Sequence, residues 1–312
     1  MHVKENDSVI LYTDEENIEI VKLKGEGGFT NKKGTFLHKD IIGKTYGSKI
    51  YDCTCKSYIY VLKRTPELII TGLKKKTQTL YEHDISFICL LCNALPNAKI
   101  IEAGTGTGCL TYALASCVLP NGIVHTFEYN EERYREVKSE FENFEDIKKN
   151  IKFHHKDVIN YTFDEFTSGE IDSVFLDMPN PWLCVHNVKN VLKERGTFVI
   201  FLPCIEQVYK IIDALEQNKF SEIVTYELIN KSWEIIINKR SKQETHSNVH
   251  ACQAANADLG KDKDFPQQSF LNPVYRLRQK ENKTHTGYLT FAKKQLNDEE
   301  EQVDIEFKGL LE

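Results

Sequence analysis

From Lys99 to Gly108 the chain reads KIIEAGTGTG: a short apolar run that turns on three alternate glycines and opens into a helix-forming sequence. A buried strand feeding a glycine turn and a helix is the building unit of a wound α/β sheet. The downstream sequence keeps that rhythm. Strand-like runs at 99–102, 123–128, 151–154, 171–177 and 197–202 alternate with helical periodicity at 108–118, 131–144, 186–192 and 205–218. The alternation predicts a parallel sheet covered on both faces.

The rest of the chain is arranged around that block. Residues 1–65 hold short β-like runs at 9–12, 18–23 and 58–62, separated by Gly25, Gly27, Gly28, Gly43 and Gly47, and predict a small β-rich N-terminal domain. The main domain, 66–294, opens with a connector at 66–84, and Asp84 is a candidate N-cap for an apolar-periodic helix over 85–95. Further β-like runs at 222–228 and 233–238 precede a polar stretch, 239–284, that reads as a flexible insertion. An alternating strand at 287–292 comes next, and 295–312 form an acidic tail.

Composition narrows the function classes. With 312 residues, 41% of them hydrophobic, the chain has enough apolar surface to exclude global disorder. Its longest mostly apolar run, 85–95, is about half of the roughly 20 residues a membrane span needs. The opening MHVKENDSV has no apolar export core. Nine cysteines without such a signal predict reduced thiols in the cytosol or nucleus. A net charge of −6 argues against a stand-alone nucleic-acid binder, which draws on clustered Lys and Arg.

The glycine loop points to a nucleotide-type ligand. Glycine lets the backbone approach a ligand, and the free N–H groups at a helix start favour an anion. The spacing is Gly-x-Gly-x-Gly, with Cys109 at the sixth position where a dinucleotide fingerprint has Gly or Ala. That favours S-adenosylmethionine over NAD. Glu128 ends the next strand 20 residues after Gly108, where an acidic side chain can accept both ribose hydroxyls. An ordinary tight turn is the competing explanation; three alternate glycines weigh against it by costing entropy with no packing return. Asp157 could accept from the adenine amine or cap a turn. Arg133 could face the cofactor or lie on a helix surface.

At the carboxyl end of the fourth strand stands Phe175-Leu176-Asp177-Met178-Pro179-Asn180-Pro181-Trp182. Two prolines stop the strand, so Asp177 and the carbonyls after it can face a ligand rather than a ladder. Trp182 offers a plate for an aromatic acceptor. A structural proline turn is the alternative, opposed by the cost of burying an unpartnered Asp.

These motifs do not stand alone. The chain also carries Gly34-Thr35-Phe36-Leu37-His38, Ile41-Ile42-Gly43-Lys44, Tyr46-Gly47-Ser48, Thr77-Gln78-Thr79-Leu80-Tyr81, Pro203-Cys204-Ile205-Glu206-Gln207 and His285-Thr286-Gly287-Tyr288-Leu289-Thr290-Phe291. Together they make it resemble the catalytic subunits of eukaryotic tRNA (adenine(58)-N1)-methyltransferases over most of its length, apart from the insertion and tail. Relatives carry close variants of the two middle residues of Asp177-Met178-Pro179-Asn180-Pro181-Trp182, a departure that leaves the implied role of the motif in place.

The resemblance implies a class I S-adenosylmethionine-dependent methyltransferase fold, Rossmann-like and doubly wound. It implies that Gln78, Leu80 and Tyr81 cover the cofactor. Glu102, Gly104, Thr105, Gly106, Thr107, Gly108, Cys109, Leu110, Glu128, Arg133, Asp157 and Val158 would contact it. Asp177 would be the catalytic carboxylate between cofactor and target base. It also implies a tRNA substrate, a homologous non-catalytic RNA-binding subunit in a two-plus-two heterotetramer, and a nuclear location. A homotetramer, as in bacterial and archaeal relatives, is the alternative.

The chemistry agrees with the motif. N1 of adenine attacks a sulfonium methyl in line, and positive charge develops on the ring and its N6 amine. A carboxylate there stabilises that charge or takes the N6 proton. N1 lies on the pairing edge, so the base must first leave its partners. Trp182, Tyr288 and Tyr81 are candidates for holding it, each equally able to be core. Competing functions are a methyltransferase for protein or small molecules, the non-catalytic subunit itself, and a dehydrogenase.

Three weaker features remain. Cys89, Cys92, Cys53 and Cys55 could form a zinc site, although the first pair reads better as small core residues. Lys74, Lys75 and Lys76 could touch tRNA phosphates or be a solvated connector. His285 reads as a structural hydrogen-bonding residue.

Overall fold

The computed structural model describes residues 2–73, 79–231, 233–236, 274–277 and 285–296. The N-terminal runs fold into β1 (Ser8–Asp14), β2 (Asn17–Lys22), β3 (Gly28–Asn31), β4 (Gly34–Leu37), the short α1 (His38–Ile41), β5 (Lys49–Tyr51) and β6 (Tyr58–Leu62). Strands β2, β1, β6 and β5 lie in that order in one antiparallel sheet, and β3 pairs with β4. Strand alternation sorts the side chains. Val9, Leu11, Ile50, Ile59 and Val61 enclose a small core with Leu23, Phe36 and Ile41. Ile10, Tyr12 and Leu62 point the other way, into the larger core of the chain.

The expected connector contains a helix, α2 (Pro66–Gly72), with its proline at the first turn, where a missing N–H is harmless. Helix α3 (Glu82–Leu91) starts before the apolar periodicity does. Its N-cap is Tyr81, and Asp84 lies buried inside the first turn instead of capping it. The carboxylate serves a tertiary contact, accepting from Thr286 Oγ1 at 3.0 Å. The helix ends at Leu91, short of the periodic stretch, and Asn93 turns left-handed (φ +47°) just beyond.

Then come β7 (Lys99–Ala103), α4 (Cys109–Cys117), β8 (Ile123–Glu128), α5 (Glu131–Phe141), β9 (Ile151–His155), β10 (Ile171–Leu176), α6 (Val185–Val191), β11 (Leu192–Leu202), α7 (Ile205–Gln217), β12 (Phe220–Glu227), β13 (Trp233–Ile236), β14 (Val274–Leu277) and β15 (Tyr288–Lys294). The large sheet has the order β12-β15-β11-β10-β7-β8-β9. Its five strands from β11 to β9 are parallel, and β15 runs antiparallel between β11 and β12. The sheet is therefore mixed rather than purely parallel, because no crossover helix of the described chain carries β12 to β15.

Both faces of this sheet are covered. Ile100, Phe175 and Val199 pack toward Ile85 and Ile88 of α3 and Leu110 and Leu114 of α4. Ile101, Val174, Phe198 and Ile200 pack toward Val185 and Val188 of α6 and Val208 and Ile211 of α7. Residues 229–284 cluster as a separate unit. Within the stretch read as a flexible insertion, β14 is a strand paired antiparallel with β13. The run Val274-Tyr275-Arg276-Leu277 has strand-forming residues that the polar surroundings mask in composition. The rest of that stretch, the tail beyond Leu296, Lys74–Lys76 and Gln78 lie outside the described residues.

Candidate functional site

The strand order reverses between β7 and β10, and at such a switch point the loops leaving neighbouring strands part to open a crevice. The glycine loop leaves β7 there and Asp177 leaves β10, tied together by the Asp177 N–H bond to the Ala103 carbonyl at 2.8 Å. A Cβ on Gly104 would stand 2.1 Å from the Asp177 carbonyl oxygen. A Cβ on Gly108, the left-handed N-cap of α4, would stand 2.5 Å from the Phe141 ring. Packing therefore requires two of the three glycines, contrary to the expectation that they return none. Gly106, also left-handed (φ +55°), lines the opening itself.

The crevice has a volume of about 580 Å³, within the range of roughly 300–1,000 Å³ common for small-molecule sites. Phe127, Val158, Ile159 and Met178 give it an apolar wall, and Glu128, Arg133, Lys156, Asp157 and Asp177 supply polar groups. Glu128 is 5% exposed and accepts from the Gly106 N–H at 3.1 Å and the Asn130 N–H at 2.9 Å. The Arg133 guanidinium lies 3.3 Å from the same carboxylate. Both readings of Arg133 thus hold together: it extends from a helix surface and lines the crevice. Asp157 behaves likewise. It closes a turn, accepting from the Ile159 N–H and the Asn160 amide, while bordering the crevice.

A smaller hollow lies behind the loop, lined by Thr79, Leu80, Glu102, Thr105, Thr107, Cys109 and Leu110 and sharing Gly104, Gly106 and Asp177 with the crevice. Glu102 is buried and accepts from Thr111 Oγ1 at 2.6 Å; burial nevertheless pushes its carboxyl up to about 7. Thr105 and Thr126 share a hydroxyl contact of 2.6 Å that anchors the loop to β8. Asp177 is half-buried at the junction of the two hollows, and burial pushes its carboxyl up to about 6. A carboxylate so placed is held ready for a positive partner.

Tyr81 and Gly108 border neither hollow. Tyr81 stacks on His83, with ring centroids 5.9 Å apart. Trp182 packs against the core, with Lys210 Nζ 4.9 Å from its ring, and Tyr288 packs beside His285. None of the three aromatic candidates for holding a base reaches the crevice. Tyr129, 73% exposed, and Lys156 do line it. Their only sequence signal is position, each just past the end of a strand. His285 is held by Glu227 at 2.6 Å. The four cysteines weighed for zinc do not form one cluster: Cys89 lies near Cys92 and interacts with Cys117, Cys92 is buried beside Ser173, and Cys53 and Cys55 are exposed in the loop between β5 and β6. Among the described residues no group of three or more His, Cys, Asp or Glu could hold a metal.

Known proteins resemble this chain in sequence and in fold. A Cryptococcus neoformans protein named tRNA (adenine(58)-N(1))-methyltransferase catalytic subunit is 36% identical over 239 residues, 76% of this chain and 54% of that one. The chain thus spans about half the length of that relative. A Dictyostelium discoideum protein of the same name is 29% identical over 93% of this chain and 96% of its own. The crystal structure of the tRNA (m1A58) methyltransferase TrmI from Aquifex aeolicus superposes with a TM-score of 0.67, at 25% identity, over 95% of this chain and all of that one. The fold is that of the S-adenosylmethionine-dependent methyltransferases. Residues 57–294 match the model of the family described as tRNA methyltransferase complex GCD14 subunit, and the chain belongs to that family.

Proposed function

We propose that this chain is the catalytic subunit of a tRNA (adenine(58)-N1)-methyltransferase, transferring a methyl group from S-adenosylmethionine to N1 of the T-loop adenine. The observation that carries this reading is the Asp177 carboxylate at the switch point, flanked by the glycine loop, open to the crevice and raised by burial, with no charged partner among the described residues. The residues suit the cofactor. The buried Glu128 can accept ribose hydroxyls, the Phe127, Val158 and Ile159 wall suits an adenine, and Asp157 can receive its amine. When bound, S-adenosylmethionine supplies an electrophilic methyl on a sulfonium.

The chain's own residues do the rest. Arg133 and two backbone N–H groups fix Glu128 in place. Glu102, held by Thr111, supports the loop from behind. Asp177 faces the amine of the incoming adenine and stabilises the charge that grows on it as N1 is methylated, then accepts the N6 proton. The same reading includes a homologous non-catalytic subunit, for which the family's description as a subunit of a tRNA methyltransferase complex is the support, and a nuclear location, which rests on the sequence resemblance alone. The test is methyl transfer to an unmodified tRNA transcript, with the product mapped by reverse-transcription stops. Equal transfer to a transcript lacking the T-loop adenine would overturn the reading.

A further inference from the structure

We propose that the open end of the N-terminal sheet, carrying Tyr51, Tyr58, Tyr60 and Lys49, is a stacking platform for unpaired bases of the RNA substrate; this rests on tRNA being that substrate. Lys49 is directly opposite Tyr60, and Tyr51 opposite Tyr58, on the last two strands of the sheet. All four side chains therefore share one face. The rings of Tyr51 and Tyr58 are 6.0 Å apart and those of Tyr58 and Tyr60 5.6 Å, and Lys49 Nζ lies 4.3 Å from the centre of Tyr58. Tyr51 is 53% exposed and Tyr58 40%. Further along the same face, Tyr12, Ile10 and Leu62 are covered by the main core, so the sheet is clothed over one half and bare over the other.

Charge identifies the occupant. Residues 22–64, which include β5, β6 and the β3–β4 turn, hold ten lysines and arginines against three acids, a local balance of +7, whereas residues 1–21, toward the β1–β2 edge, hold one against six. Lys56 is exposed in the loop joining β5 to β6, and Ser57 donates to the Lys33 carbonyl, bringing the β3–β4 turn with Lys32 and Lys33 against that loop. Asp14 lies near Lys32, but Asp52 is buried and spends its carboxylate on Thr54 and Ser57. Stackable rings interleaved with lysines fit bases and phosphates. A protein partner is the poorer match, because lysine is depleted at protein interfaces.

The test uses the full chain with its sister subunit and unmodified tRNA. Tyr51→Ala with Tyr58→Ala should raise KM for tRNA about 10-fold or more, from the loss of base stacking. Saturating turnover, cofactor affinity and subunit association should stay at wild-type values. Tyr58→Phe, which keeps the ring, should behave as wild type. Lys49→Glu should weaken tRNA binding and make its salt dependence shallower by about one phosphate contact; it decides the matter alone if the double variant does not fold. An unchanged KM in these variants overturns the platform, as does a loss that tracks weakened subunit association. If the wild-type complex methylates no tRNA, the substrate reading fails instead. Binding of a labelled single-stranded RNA to wild type and Lys49→Glu then decides the platform by itself.

Discussion

At the level of single residues, Asp177 carries the most specific expectation. Its carboxyl is raised to about 6 by burial, so the charged form is the costly one in the folded protein. A raised value means stability that is present below the unfolded carboxyl range and lost as pH rises through about 6. Asp177→Asn removes that loss. It should raise Tm at pH 8 by the equivalent of roughly 1–3 kcal/mol and leave it unchanged near pH 4. Turnover should fall on the order of 10²–10⁴-fold, and the rise of wild-type turnover with pH through about 6 should vanish. Melting curves and a pH–rate profile check both. Gly106→Val should abolish cofactor binding in calorimetry, because a branched side chain at a left-handed residue would strain the turn and fill the crevice. Asp177 and Glu128 were legible in the sequence because each ends a strand next to turn residues. Tyr129 and Lys156 were not, since no spacing rule ties a residue beyond a strand end to a ligand. The glycines misled in part: Gly104 and Gly108 answer to the Asp177 carbonyl and the Phe141 ring, which only the fold brings near.

At the level of elements, periodicity located the strands and helices of the wound sheet but not every boundary. Asp84 has the residue type of an N-cap yet sits inside α3, because Thr286, distant in sequence, claims its carboxylate. That contact ties the segment entering β15 to α3. Burial raises the Asp84 carboxyl, so it too favours the neutral form. Thr286→Ala leaves a buried carboxylate without its donor and should destabilise by about 1–3 kcal/mol. Asp84→Asn keeps an acceptor and removes the buried charge, so it should melt at or above the wild-type temperature at pH 8. If the two variants lose stability equally, the contact does not fasten β15 to α3. The antiparallel entry of β15 was hidden for a related reason: a strand's alternation shows which residues face the core, whereas its direction depends on where the preceding chain returns.

At the level of the whole molecule, the decisive property is where the charge lies. The balance of −6 is unevenly spread: residues 22–64 carry +7, residues 1–21 carry −5, and residues 65–312, with 29 basic and 37 acidic residues, carry −8. The part that builds the crevice is thus net negative, and a polyanion approaching Asp177 gains little from its field. One platform of tyrosines and lysines can hold part of an RNA but cannot alone draw a T-loop into an acidic neighbourhood. A homologous subunit that has exchanged the cofactor site for RNA contacts would supply the missing field. The isolated chain should therefore bind S-adenosylmethionine in calorimetry yet transfer almost no methyl to tRNA. Adding the sister subunit should restore transfer and give two-plus-two particles in light scattering. Their activity should fall steeply with salt, since each released counterion adds to the slope. Robust methylation of the T-loop adenine by the purified chain alone, at low salt, would refute the heteromeric assembly and favour a homotetramer in which the N-terminal sheets of neighbouring copies provide the positive surface.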